Sequence, residues 1–252
     1  MCAGEGRRIF RAAVSGLGLP DELIYDGMTM ASELAANTLH AQQNVQYDGE
    51  PRLPMMGGPE LWLYLRTAGG RWELVCKVFD SLPGWRDGER PGPAAAGPDA
   101  VGGRGLQVVA GLSGGRWGHH LSRSRLGGWK VPGKAVWFGQ PVPAACVPPR
   151  LRRARLRPCE ASRRLEAMLA ARGLGGSLLC TDETGNGISV LSVRRGITVW
   201  CRSDMISWRT RGGRYERRGL TDLEDAAEHI VCLCQELDSG QAIGYPGHDR
   251  VR

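Results

Sequence analysis

The sequence predicts an α/β chain in two parts, a helix-and-sheet domain followed by a small α+β unit. Three observations carry this. Segment 20–45 places Ile24, Met28, Ala31, Ala35 and Leu39 at helical spacing behind the start signals Pro20 and Asp21, which predicts one long amphipathic helix. Segments 61–68 (LWLYLRTA) and 72–79 (WELVCKVF) are apolar and partly alternating, and they flank the turn residues Gly69 and Gly70, so they read as a strand hairpin. Beyond a stretch rich in Pro and Arg, a second series of short helices and strands begins.

The remaining elements follow in order. Segment 85–103 is too rich in Gly, Pro and Ala to pack as helix or strand and is expected to be a mobile loop. A helical pattern resumes over 105–110, and strands follow at 116–123 and 134–138, closing a first domain at 1–141. Prolines and a basic run give 142–158 the character of an interdomain linker, with Arg150 to Arg157 as its solvated face. The second domain, 159–238, should contain a helix at 161–172, strands at 177–181, 188–193, 197–201 and 206–209, and a helix at 220–237. The tail, 239–252, is polar and Gly-rich and is expected to fray.

Composition narrows the function classes. Hydrophobic residues make up 42% and charged residues 23% of the 252, enough apolar surface for a core and too little charge for a disordered chain. The net charge is +7, but the arginines are spread along the chain, and no single segment interleaves basic and aromatic residues on one face. This argues against direct contact with nucleic acid. The cysteines, at 2, 76, 146, 159, 180, 201, 232 and 234, form no CxxC pair and no zinc-ligand spacing, so they read as reduced thiols. The start, MCAGEGRRIF, lacks a long apolar region, and nowhere do about 18 apolar residues run together, so a cytoplasmic protein without a membrane span is expected. His119 and His120 are neighbours on a predicted strand and point to opposite faces, which suits surface or core residues better than a metal pair. Trp62, Trp72, Trp137, Trp200 and Trp208 fall in predicted strands and read as a core or interface resource.

One constellation carries chemistry. In SELAAN, Glu33 and Asn37 stand one helical turn apart on the same face. Downstream come a strand ending in VFDSLPG, the Gly/Pro-rich loop, then GRGLQVV opening a helix, and a terminal strand GKAVWF. In this order the segments resemble the N, G1, G2 and G3 boxes of the GHKL ATPase superfamily over roughly 7–141, and they are most similar to stand-alone actinobacterial regulators of the anti-sigma factor serine kinase type.

The resemblance implies a Bergerat-type α/β sandwich, a mixed sheet with helices on one face, that binds ATP with Mg2+. Asn37 would be the Mg2+ ligand, since a carboxamide oxygen is a neutral hard donor suited to an ion that keeps several waters. Glu33 would be the catalytic base toward an attacking hydroxyl or water. Asp80 would accept a hydrogen bond from the adenine amine, with Gly84 in the same box. Gly103, Arg104, Gly105 and Leu106 would form the loop-to-helix junction that meets the phosphates, and 85–103 would be the ATP lid. Two positions depart from the family pattern: Leu82 replaces the middle glycine of the G1 box, and Ala135 replaces a threonine expected to support the adenine site.

The implied function is that of a cytoplasmic protein serine/threonine kinase acting on a protein partner: a sigma factor, an anti-sigma antagonist or a DNA-binding regulator. Leu82 and Ala135 favour the alternative, a catalytically inactive, nucleotide-responsive interaction module controlling a transcriptional regulator. A homodimer stays open, and the second domain carries no motif with chemical content.

Overall fold

A helix that composition disguises begins the chain. The computed structural model describes residues 1–46, 58–82, 104–152, 155–175, 179–184, 187–210 and 212–239. Its first element, α1 (Ala3–Val14), starts at Cys2, whose amide donates to Glu5 Oε2 at 2.8 Å, and buries Phe10 and Val14. The glycines that mask its helical pattern have a packing role. A Cβ on Gly6 would stand 3.1 Å from the Ala35 methyl, and one on Gly27 of the next helix would stand 2.2 Å from Phe10. The two helices approach closely because each is notched where the other bulges.

That next helix, α2 (Asp21–Gln46), has Asp21 and Glu22 at its positive end and buries Met30, Ala31, Leu34 and Ala35. It lies on a four-stranded sheet of β1 (Glu60–Ala68), β2 (Arg71–Asp80), β3 (Trp117–Arg123) and β4 (Pro132–Pro141), in the order β1-β2-β4-β3. The β1–β2 hairpin turns at Gly69 and Gly70, both at positive φ. A short helix, α3 (Gly105–Leu112), packs beside α2. Every described pairing in this sheet is antiparallel, where the resemblance implied a mixed sheet.

Alternation gives the sheet two different faces. Leu74, Cys76, Val78, Val136 and Phe138 join the core under α1 and α2. Tyr64, Arg66, Lys77 and His120 point the other way, toward the C-terminal helix α6 (Leu223–Ser239). The helices of the first unit thus lie on one face of this sheet, and α6 of the second unit covers the other.

The second unit is a five-stranded antiparallel meander of β5 (Leu179–Thr184), β6 (Ile188–Arg194), β7 (Ile197–Cys201), β8 (Met205–Arg209) and β9 (Tyr215–Gly219). Its core joins Leu191, Val199, Ile206 and Trp208 to Leu165 of α5 (Pro158–Leu169) and to Ala226, Ile230 and Cys234 of α6. The same helix thus serves two cores, one apolar and one polar.

Nor does 142–158 behave as a free linker. Val142 donates its amide to Trp72 O at 2.9 Å, Val142 and Val147 are buried in the first core, and a short helix, α4 (Pro149–Arg152), follows. Burial of apolar side chains outweighs what the prolines suggested. Arg150, Arg152, Arg155 and Arg157 are exposed.

Candidate functional site

Glu33 and Asn37 lie on the part of α2 that meets the start of α3. Gly105, the first residue of α3, fits against them so closely that a Cβ there would stand 2.8 Å from Glu33 Oε2 and 3.2 Å from both polar atoms of the Asn37 side chain. Glu33 is half-buried, Asn37 exposed. The helical ladder of α3 begins with Val108 N donating to Arg104 O at 3.0 Å. The amides of the first turn precede that bond and carry the positive end of the helix dipole, an arrangement that favours an anion. Arg104 is exposed at the helix start. The fold therefore unites a carboxylate, a carboxamide and a helix start from segments far apart in sequence. Leu106 follows Gly105, half-buried against the first core. Gly84, Gly103 and the expected lid at 85–103 lie outside the described residues.

Asp80 ends β2 on the same side of the sheet, almost fully buried. Lys134 Nζ donates to its Oδ2 at 2.8 Å and to Leu82 O at 2.8 Å, while the Leu82 amide donates to Asp80 Oδ1 at 3.0 Å. Asp80 and Lys134 are register partners on neighbouring strands, so this pairing is built into the sheet. Lys134 is the residue that the sequence reading missed. It was detectable as one of three lysines, with Lys77 and Lys130, in a chain whose basic residues are otherwise arginine. Ala135, by contrast, packs with Trp62 and Phe79 on the opposite face, so a threonine there would not reach Asp80.

Both halves of the site lie on the α2 side of the first sheet. Gln140 of β4 donates to Leu23 O near the start of α2. Running from Gln140 back to Lys134 covers about 20 Å of strand. An equal advance along α2 leads to the neighbourhood of Asn37.

The densest ionisable cluster lies elsewhere, between β1–β4 and α6. Glu228, fully buried, accepts from Arg172 and from Arg125 at 3.0 Å, lies 3.3 Å from the Ser122 hydroxyl and faces Lys77 Nζ at 3.6 Å. Asp225 accepts from Arg66 at 2.8 Å, Arg218 at 2.8 Å and Tyr64 at 3.2 Å. The rings join in, with Arg125 and Arg172 each 4.6 Å from the centre of Trp62. Perturbed groups in a cleft would mark a reactive site. These are closed off and paired with one another, so they act as a polar seam joining the two units.

The seam makes stability depend on pH. Burial opposes the charge on Glu228, but Arg172, Lys77 and Arg125 overcome it and hold its carboxyl well below the usual range; Asp225 is lowered in the same sense. Burial, aided by Lys77, pushes His120 down to about 3. An unfolded histidine takes up a proton near pH ~6.5, which native His120 refuses, so stability falls as pH drops below that value. The carboxylates add the same sign below about pH 4, where the unfolded chain protonates first. Lys77, pushed down to about 8 by burial, adds a rise in stability only between that value and its ordinary pKa of about 10.5. Urea midpoints are expected to fall steadily from pH 7 to 4; a midpoint flat between 7 and 5 would contradict a neutral buried His120.

Among the described residues no group of three or more His, Cys, Asp or Glu side chains is placed to hold a metal ion, and no helix is long and apolar enough to cross a membrane. No family model matches the chain, and no curated protein or solved structure matches it either.

Proposed function

We propose that the first unit is a Bergerat-type nucleotide-binding domain and that the chain is a cytoplasmic Mg-ATP-binding regulator, similar to anti-sigma factor serine/threonine kinases and directed at a protein partner. The supporting observation is the convergence of Glu33 and Asn37 on Gly105. Only glycine lets the start of α3 come this close to both side chains, which sets the carboxylate and the carboxamide beside the first-turn amides. Asn37 would hold Mg2+, the first-turn amides of α3 would face the phosphates, and Glu33 would take the proton of a partner hydroxyl. Mg-ATP would supply the phosphoryl group and the charge neutralisation, leaving the chain to position the reactants.

A second reading has its own support. Asp80 already accepts from Lys134 and from the Leu82 amide, which lowers its capacity to read an adenine amine. Weakened base recognition suits an interaction module that responds to nucleotide without turning it over.

Equilibrium titration with ATP, ADP and GTP, with and without Mg2+, tests both readings. Gly105→Val should fold, because the atoms it meets are the movable ends of Glu33 and Asn37, and should weaken ATP binding at least about tenfold by displacing both side chains from the start of α3. Asn37→Ala should remove the magnesium dependence, and Asp80→Asn the adenine preference. No saturable binding at millimolar ATP would end the proposal. Label transferred to a partner serine or threonine, and lost in Glu33→Ala, would decide for the kinase over the interaction module.

A further inference from the structure

The meander of the second unit has one face in the core and one face turned outward. Register and burial define the outer face. It carries Val190 of β6, Trp200 of β7, Ser207 of β8 and Arg217 of β9 in one cross-strand row. Arg209 and Tyr215 pair beside that row, and Arg202 stands just beyond the end of β7. Trp200 and Tyr215 come together across the small Ser207, with ring centres 6.0 Å apart and planes tilted by 52°. Arg202 fixes the floor by donating to Ser207 Oγ at 3.0 Å. Tyr215 is 58% exposed, Trp200 is half-buried, and Arg202, Arg209 and Arg217 are exposed.

On the described part of this face, charge has one sign. Among the described residues, β6 to β9 place no Asp or Glu on it, since Glu216 turns inward to Arg218. Basic charge also stands just past the sheet, beside Asp204. Arg155, from the exposed basic run, lines an open depression with Ser203, Asp204, Gly219 and Thr221, at the sheet end where Arg202 stands. The run that looked like a solvated linker therefore borders the Arg202 end of this sheet.

We propose that this face is a stacking site for single-stranded nucleic acid, with Trp200 and Tyr215 as the base platform and Arg202, Arg209 and Arg217 as phosphate contacts. An exposed tyrosine ring beside a half-buried tryptophan, set among arginines, matches what an unpaired strand offers, an exposed base plane and a phosphate at every step. A duplex hides its base planes and could use only the arginines. An acidic protein segment would satisfy the same charges but would gain no stacking from the tilted pair.

The test is fluorescence anisotropy of the full chain with a labelled oligothymidylate and oligouridylate, against a duplex of equal length, over a range of salt. Trp200→Ala and Tyr215→Ala should each weaken single-strand binding about tenfold, with the far-UV spectrum unchanged. Tyr215→Ala, at an open position, keeps the test valid should Trp200→Ala perturb folding. Arg217→Ala should reduce the slope of log K against log salt by about 0.7, one released counterion on a single strand. Duplex binding as tight as single-strand binding would overturn the proposal. So would binding indifferent to Trp200 and Tyr215, or competition by polyglutamate as effective as by unlabelled oligonucleotide, which would assign the face to an acidic protein.

Discussion

Glu228→Ala is expected to destabilise the folded chain by about 3–5 kcal/mol. The carboxylate lies wholly out of water and faces Arg172, Arg125 and Lys77, so its removal takes the main counter-charge from buried Arg172 and Lys77 and leaves half-buried Arg125 with Glu224. The mechanism is loss of compensation, because taking these cations out of water is offset chiefly by Glu228. Glu228→Gln separates charge from shape: it keeps the volume and an acceptor oxygen and removes only the charge, so it should cost less than alanine. The effect should spread to both units, since α6 contributes Glu228 to the first sheet and Ile230 and Cys234 to the second core. Wild type should unfold in one transition, and Glu228→Ala should unfold earlier with the two units less tightly coupled. Urea denaturation followed by tryptophan fluorescence and far-UV circular dichroism reads both effects. A change below about 1 kcal/mol would mean that water reaches the seam.

Trp208→Ala should cost a similar amount, about 3–5 kcal/mol, because it empties the centre of the second core. The side chain is fully buried, edge-on to His229 at 5.9 Å, with the Arg218 guanidinium 5.8 Å from its ring. Trp208→Phe should be much milder. The indole Nε1 is buried with no hydrogen-bond partner among the described residues, and phenylalanine removes that atom while keeping most of the apolar volume. Trp200→Ala, one strand away on the opposite face, is the control and should cost clearly less than Trp208→Ala, because Trp200 is half-buried over Ser207. Equal losses at the two tryptophans would contradict the assignment of one to the core and the other to the outer face.

Much of the architecture was legible because its signals are local. The stripe along α2, the Gly69-Gly70 turn and the hairpin at Gly196 depend on spacing within a few residues. Elements without such signals escaped. Gly6 of α1 makes sense only beside α2, and β9, Tyr-Glu-Arg-Arg-Gly, is an edge strand with no apolar alternation to detect. Of the candidate site, Glu33, Asn37 and Gly105 were readable as a motif, and Lys134 stood out as a rare lysine, but its link to Asp80 was not readable, because that is a matter of strand register.

By itself the sequence determined α2, α3, α5, α6 and the hairpins, since each depends on neighbours along the backbone. Only the tertiary structure decided that Gly105 closes on Glu33 and Asn37, that Lys134 holds Asp80, that α6 seals one unit to the other through Glu228, and that Trp200 and Tyr215 meet among arginines on one face. Those contacts join residues that are remote in sequence, and their energies depend on burial and register, which exist only once the sheets have formed.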